Sequence, residues 1–589
     1  MLRRLVVDDI RPSAPHGMPA KAVVGEKVRV TATIFKDGHD PLAARVILTA
    51  EGQPKPQAEA QMRAIGNDQW EAYVATDRIG PHHIVVQGWS ERGGPVDPDD
   101  APDLTSSDPH PLWVDRERAL VGAWYELFPR SFGGFAGTAE RVPAIAAMGF
   151  DVLYLPPIHP IGITARKGPN NTLIAGPGDP GSPWAIGGPE GGHTAIHPDL
   201  GTDEDFRALV EATAACGMEI ALDYALQCSP DHPWVAEHPE WFHHRPDGTI
   251  ACAENPPKVY QDIFPLNFWP EKEKDRAAMW DACKGILDHW IARDVRIFRV
   301  DNPHTKPIAF WRWVISEIQA EHPDIIFLAE AFTRPKVMAK LAEVGFSQSY
   351  TYFTWRTQQH GPDGLWAYLD DLAHGPVADY MRPNFWPNTP DILSGPLRHG
   401  PPAAFAMRLI LAATMTPSYG VYSGYELYEN APASDTNEEY LNSEKYEIKH
   451  RDYDHPGTLT PLMTSLNRIR REHPALQRLR SIQFHDTTNP SVIAYSKVSD
   501  DGDDVVLVVV NLDPNWVQEA TIDLWQLDLP EGGTYPIEDV LSGEMFEWSG
   551  RKPYVRLDPM YRVAHIFDLG DSTGAASAID GGGGTQATA

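Results

Sequence analysis

Eight short apolar runs recur along one long segment of the chain: ALVGAWYELF, FDVLYLPPI, MEIALDYAL, VRIFRVD, IIFLAEAF, SQSYTYFTW, RPNFWPNTPD and PSYGVYSG. Between them, EDFRALVEATAACG, RAAMWDACKGILDHWIARD and FWRWVISEIQAEH carry apolar residues at helical spacing. Buried strands alternating with helices cover both faces of a parallel sheet, and eight repeats close that sheet into a (β/α)8 barrel. The expected class is therefore α/β, with the barrel over residues 116–478. Long insertions after the second and third strands place a lid over the C-terminal strand ends, where barrels collect their chemistry.

The flanks read differently. Over residues 1–115, apolar residues alternate with period two, as at Val28, Val30, Ala32 and Ile34, which predicts an N-terminal antiparallel β-sandwich of immunoglobulin-like type. The acidic, proline-rich stretch at 93–111 reads as a linker or wrapped connection. VIAYSKVS, DDVVLVVVNLDP, ATIDLW, YVRLDP and RVAHIFDL return to strand patterning, so residues 479–570 form a second sandwich, and the Gly/Ser/Ala-rich 571–589 reads as a disordered tail.

A length of 589 residues with 42% hydrophobic content supports several cores, and a net charge of -31 opposes binding to nucleic acid or an anionic membrane. The N-terminal MLRRLVVDDI meets Asp8 and Asp9 before an apolar signal region can form, and no run approaches the length of a spanning helix. The four cysteines, Cys216, Cys228, Cys252 and Cys283, show no CxxC spacing. A reduced, cytoplasmic enzyme is expected. The HHR and DHP histidines lack ligand-like spacing, so neither metal nor cofactor is expected.

Three acidic residues stand where the barrel would present chemistry: Asp301 after RIFRV, Glu330 after IIFLA and Asp391 in NTPD. Each alone reads as a helix N-cap or half of a salt bridge. Three together, on strands four, five and seven, suit glycosyl transfer, in which one carboxylate attacks the anomeric carbon and a protonated one assists the leaving group. A retaining pair lies ~5 to 5.5 Å apart, within reach of adjacent strands. Arg299, two residues before Asp301 and on the same strand face, would hold it ionised. Trp184 and other aromatics near the strand ends offer sugar-stacking surfaces or, more commonly, core.

LDYAL around Asp223, FRVD at 298–301, AE at 329–330 and NTPD at 388–391 resemble the signature regions of the α-amylase family, glycoside hydrolase family 13. That resemblance implies Asp301 as nucleophile, Glu330 as general acid and Asp391 as transition-state stabiliser. The usual Asn-His and His-Asp pairs are replaced here by Gln227-Cys228 and Pro390-Asp391. With ALQCSPDHPW, ENPPKVYQDI, RKGPNN, GSPWAIGGPEGGH and NSEKYEIK, the chain resembles one branch, the α-1,4-glucan:maltose-1-phosphate maltosyltransferases.

A phosphate leaving group needs hydrogen-bond donors, and Asn302, Asn255, Lys258 and Tyr260 could supply them. The resemblance implies further donor-sugar contacts from Lys167, Gln227, Asp262, Lys445 and Tyr446. It also implies retaining transfer of maltosyl from α-maltose 1-phosphate to the non-reducing end of an α-1,4-glucan or malto-oligosaccharide, by a homodimer. The competing readings are a hydrolase or trehalose-forming isomerase of the same family and a non-catalytic glucan-binding protein.

Overall fold

The computed structural model describes residues 4–91, 94–255, 258–530 and 533–570. The tail expected at 571–589 and the Asn255 side chain lie outside what is described.

The eight runs form eight parallel strands that close on themselves: Gly122–Glu126, Val152–Leu155, Glu219–Tyr224, Ile297–Val300, Ile326–Ala329, Gln348–Tyr350, Pro383–Phe385 and Ser418–Tyr422. The last pairs in parallel with the first, so the sheet has no edge. Strands six and seven are shorter than the runs that announce them, because the chain turns after Tyr350 into a single 3-10 turn, Tyr352–Trp355. Helices Asp203–Ala215, Glu273–Ile291 and Ile308–Glu321 stand where helical spacing places them. The first is fixed by a reciprocal cap between Thr202 and Asp205.

Period two decides which side chains enter the barrel. On strand four Phe298 and Val300 join the outer core beneath the helices, while Ile297 joins the interior cluster with Trp124, Val152, Tyr154, Ala221, Ile326, Leu328, Tyr350 and Trp386. Continuing the alternation turns Arg299 and Asp301, Asp223 and Glu330 inward, above that apolar layer. The carboxylates thus stand on a packed floor.

Two sheets precede the barrel. One runs in the order Leu5–Arg11, Val28–Lys36, Gln69–Val74, Arg63–Gly66, and the other Ala20–Val23, His110–Asp115, Gly80–Ser90, Leu42–Ala50, Ala58–Gln61. The expectation of a purely antiparallel sandwich needs correcting, since His110–Asp115 runs parallel to Ala20–Val23. Part of the acidic 93–111 stretch is also taken into the sheet, where Thr105–Ser106 pairs with Gly80–Ser90. Val23 and Ala119 close the barrel interior from below. There Arg382 reaches Asp115 at 2.5 Å and the Ala22 carbonyl at 2.8 Å, so this unit caps the face opposite the carboxylates.

The C-terminal strands form a six-stranded antiparallel sheet and a two-stranded one, Gln518–Thr521 with Tyr554–Leu557. Ile493, Tyr495, Val506, Val508 and Val510 share the core of the barrel helices. Tyr495 Oη meets Thr414 at 2.5 Å, and the buried Lys497 donates to the carbonyls of Thr414, Met415 and Leu476 at 3.3 to 3.4 Å. Among the described residues no helix is long and apolar enough to cross a membrane.

Candidate active site

Arg299 organises the strand ends. Its Nη1 donates to Asp223 Oδ2 at 2.8 Å and to Asp301 Oδ1 at 3.0 Å, and its Nη2 lies 3.4 Å from Glu330 Oε2. Only 7% of this side chain is exposed. The guanidinium lies 5.8 Å from the Tyr154 ring and 5.9 Å from the Tyr350 ring. One buried cation therefore serves three acids, and removing it would leave their charge without a counterion in a low dielectric.

Asn302 follows Asp301 in the left-handed conformation, at φ 43°, which asparagine tolerates better than most residues. That turn brings its backbone N–H 3.1 Å from Glu330 Oε2 and its side-chain amide 3.3 Å from Asp301 Oδ2. Asn302 thus touches both acids, Asp301 through its side chain and Glu330 through its backbone. Lys306 donates from beneath to the carbonyls of Asp301 and Asn302, each at 3.3 Å, and burial lowers its ammonium below the usual lysine range.

The acids titrate differently because their surroundings differ. Burial pushes the Glu330 carboxyl up to about 8, with Arg299 opposing and the Asp301 charge adding to the rise. Asp391 is also pushed up by burial, but the Lys445 ammonium beside it, hydrogen-bonded to Oδ1, more than reverses this and holds it below the usual carboxylate range. Its side chain keeps 43% of its surface open to the mouth. Asp223 is raised by burial against the pull of Arg299. Tyr154, Trp184 and Arg299 all donate to its Oδ2, while its buried Oδ1 has no partner.

Three lid segments bring in the remaining groups: 156–202 after strand two, 225–272 after strand three and 423–459 after strand eight. The third was not anticipated as a lid, although Lys445 and Tyr446 lie in it. Asn170 and Asn442 tie the first lid to the third, the Asn442 backbone N–H lying 2.7 Å from Asn170 Oδ1. Lys258 donates to Glu439 at 2.5 Å and ties the second to the third.

Lys167 is buried and donates to Gln261. Asp262 is buried, its carboxyl raised by that burial, and its Oδ1 is unpartnered. The Lys445 ammonium sits 5.4 Å from the Trp184 ring and 5.6 Å from that of the buried Tyr446. Gln227 donates to the Trp184 carbonyl at 3.3 Å. Tyr260 is half-buried at the other end of the short lid strand Lys258–Tyr260. Trp184 itself enters the site as a hydrogen-bond donor, whereas Trp124 and Trp386 belong to the floor.

Several contributors escaped the sequence reading. Glu126, the inward end of strand one, is buried and its carboxyl is raised well above the usual range by that burial, with the Asp223, Asp391 and Glu444 charges adding to it against Arg299. The same signal that marks Asp301, an acid closing an apolar strand, is present in WYELF. Tyr154 and Lys306 carried no signal, since a strand tyrosine and a loop lysine are ordinary.

His193, Cys228 and His232 also cluster, with ligand atoms within 4.8 Å of one another. His232 Nδ1 accepts from the Trp234 N–H at 3.0 Å, so the proton sits on Nε2 and is donated to His193 Nδ1 at 3.1 Å. His193 Nε2 in turn donates to the Ala225 carbonyl at 2.9 Å. Burial lowers His193 to about 4 and His232 to about 2, so both rings are neutral near pH 7, with all four ring nitrogens engaged in these hydrogen bonds.

Comparison with known proteins gives three results. A family model described as "Alpha-1,4-glucan:maltose-1-phosphate maltosyltransferase, domain N/S" matches residues 3–94, and one described as "GLGE, C-terminal" matches residues 484–569. Alpha-1,4-glucan:maltose-1-phosphate maltosyltransferase 2 of Streptomyces coelicolor is 50% identical, with 99% of this chain and 98% of that protein covered. The maltosyltransferase of Mycolicibacterium smegmatis is 42% identical, with 96% and 97% covered. Among solved structures, an α-amylase from Lactobacillus plantarum superposes with a TM-score of 0.57 at 21% identity, covering 77% of this chain and 99% of that one. This last likeness concerns the fold, an amylase-type barrel with additional sheets.

Proposed function

The chain belongs to the α-1,4-glucan:maltose-1-phosphate maltosyltransferase family, and from that premise we propose how its barrel mouth moves a maltosyl unit from α-maltose 1-phosphate to an α-1,4-glucan. The observation that carries the proposal is the guanidinium of Arg299, with Nη1 on Asp301 and Nη2 on Glu330, below an asparagine that touches both.

Asp301, hydrogen-bonded to Arg299 Nη1, attacks the anomeric carbon, while Glu330, kept protonated by burial, gives its proton to the departing phosphate oxygen. A β-maltosyl ester on Asp301 results. Glu330, now ionised, takes the proton of the acceptor 4-hydroxyl, which attacks the same face and leaves the α configuration restored. Asp391, ionised beside Lys445, receives sugar hydroxyls and steadies the positive charge of the oxocarbenium-like state.

The donor side is assigned to the lids and to Asn302 at the end of strand four. Asn302, Lys258 and Tyr260, with Asn255, would hold the phosphate, while Lys167, Gln227, Asp262, Lys445 and Tyr446 would hold the maltosyl unit. The unpartnered oxygens of Asp223 and Asp262 suit this role, because a buried acceptor without a donor is expensive until a sugar hydroxyl fills it. Lys258 is held by Glu439 in the absence of donor and would exchange that carboxylate for phosphate. A cytoplasmic setting and a homodimer belong to the same proposal, resting on the family.

Incubation with α-maltose 1-phosphate and a short malto-oligosaccharide tests it. Phosphate should appear in step with products longer by one maltosyl unit; free maltose as the main product would instead identify a hydrolase.

A further inference from the structure

The two-stranded sheet of the C-terminal unit carries an aromatic tip that the barrel chemistry does not use. Trp516, Met560 and Tyr561 are 72%, 84% and 90% exposed. A buried asparagine ties together the backbones of the two loops that carry them. Asn511 Nδ2 donates to the Trp516 carbonyl at 3.0 Å and to the Leu557 carbonyl at 3.4 Å, and its backbone N–H donates to the Val563 carbonyl at 2.8 Å. Both loops are fixed further by short local bonds. Asp513 Oδ1 accepts from the Trp516 N–H at 3.3 Å, and Asp558 accepts from Met560 through its side chain at 3.1 Å and from Tyr561 through its carbonyl at 2.9 Å. The rings are therefore presented on held backbone, which lowers the ordering cost of binding.

We propose that this tip is a second binding site for α-1,4-glucan, which holds the polymer to the enzyme away from the catalytic mouth. It rests on the glucan acceptor assigned above. The chemistry selects the occupant. A net charge of -31 repels polyanions, and the flanking carboxylates of Asp513 and Asp558, each already accepting from its own loop, keep further lone pairs for the hydroxyl donors of a neutral chain. Sugar rings offer flat C–H faces that stack on indole and phenol. A second copy of the chain fits less well. Three side chains of this size expose roughly 550 to 600 Å², short of the ~800 Å² that each partner of a stable complex buries.

The test uses the full chain in native gels cast with amylose, beside gels without it. Wild type should be retarded by amylose, Trp516→Ala/Tyr561→Ala should run as if amylose were absent with a dissociation constant at least ~10-fold weaker, and Trp516→Phe should restore much of the retardation. Phosphate release from α-maltose 1-phosphate with maltohexaose as acceptor should be the same in all three. Equal retardation of wild type and double variant, or no retardation of either, overturns the site while leaving the acceptor assignment standing. A fall in mass by light scattering on substitution overturns it as well, by making the tip a contact between copies. Failure of wild type to elongate maltohexaose at all would strike the acceptor assignment instead.

Discussion

The floor of the site and its rim are built on opposite plans. At the floor, Asp223, Asp301 and Glu330 end adjacent strands and share one buried guanidinium, so their positions follow from the barrel's own register. At the rim, Lys167, Lys258 and Lys445 sit on three lids that hold one another through Lys258–Glu439 and Asn170–Asn442. Strands fix what must be placed to a fraction of an ångström; loops carry what must close on a donor and release it. Under the proposed function the contrast would make a division of labour: the floor would set rate, and the rim, with Asn302, would set which leaving group is accepted.

If that division holds, damage to the floor should abolish turnover with little change in donor binding. Asp301→Ala should lower maltosyl transfer on the order of 10⁴-fold or more, measured as phosphate release, with donor affinity largely kept. Glu330→Gln should cost ~10² to 10⁴-fold and remove the alkaline limb of the pH profile. In the wild type that limb is expected where activity falls as pH rises through about 8, since the first step needs Glu330 protonated. The same shift gives a stability signature. The native state keeps a proton that the unfolded chain loses near its usual carboxylate pKa of ~4.3, so stability falls as pH rises from there toward about 8. Glu330→Gln should lack this slope and melt higher than wild type at alkaline pH; identical melting curves across that range would contradict a buried, proton-retaining Glu330.

Arg299 distinguishes the floor from the rim by stability rather than rate. Arg299→Met leaves the buried acids Asp223, Asp301 and Glu330 without their shared cation and should destabilise the fold by ~3 to 5 kcal/mol at neutral pH, read from denaturant or thermal unfolding. Lowering the pH should recover part of that loss, because protonating the carboxylates removes their repulsion. A variant as stable as wild type at every pH would show that the acids are not held by this residue.

The same contrast explains what could be read from sequence. Asp301, Glu330 and Arg299 were legible because period two, once the strands are recognised, fixes which side chains face inward. Glu126 obeys that rule and was overlooked only because WYELF sits first in the barrel, away from the recognised signatures. The barrel and its sandwich flanks were legible from periodicity, but the parallel pairing of His110–Asp115 with Ala20–Val23 was not, because alternation names strands and not their neighbours. Rim residues such as Lys167 and Lys445 rest on resemblance alone, and Lys258 only on the need of a phosphate for donors: nothing in a loop's spacing says which lysine bends toward the mouth. Lys306 shows the limit from the other side, a buried lysine whose partners are backbone carbonyls and so leave no trace in composition.

Lys258→Ala gives the smallest expected effect and the sharpest reading of the rim. The side chain is 44% exposed and pairs with Glu439, so the pair contributes at most ~1 kcal/mol to stability and melting should barely move. If the ammonium also meets the phosphate, its loss should raise the KM for α-maltose 1-phosphate by about 10-fold, the worth of one charge-assisted hydrogen bond, with kcat changing less. Glu439→Gln separates the two roles. It frees Lys258 from its carboxylate while leaving the ammonium in place, so it should lower that KM or leave it unchanged. A KM raised equally by both substitutions would mean that the pair acts as a structural tie between lids, and the phosphate would then have to be held by Asn302 and Tyr260 without it.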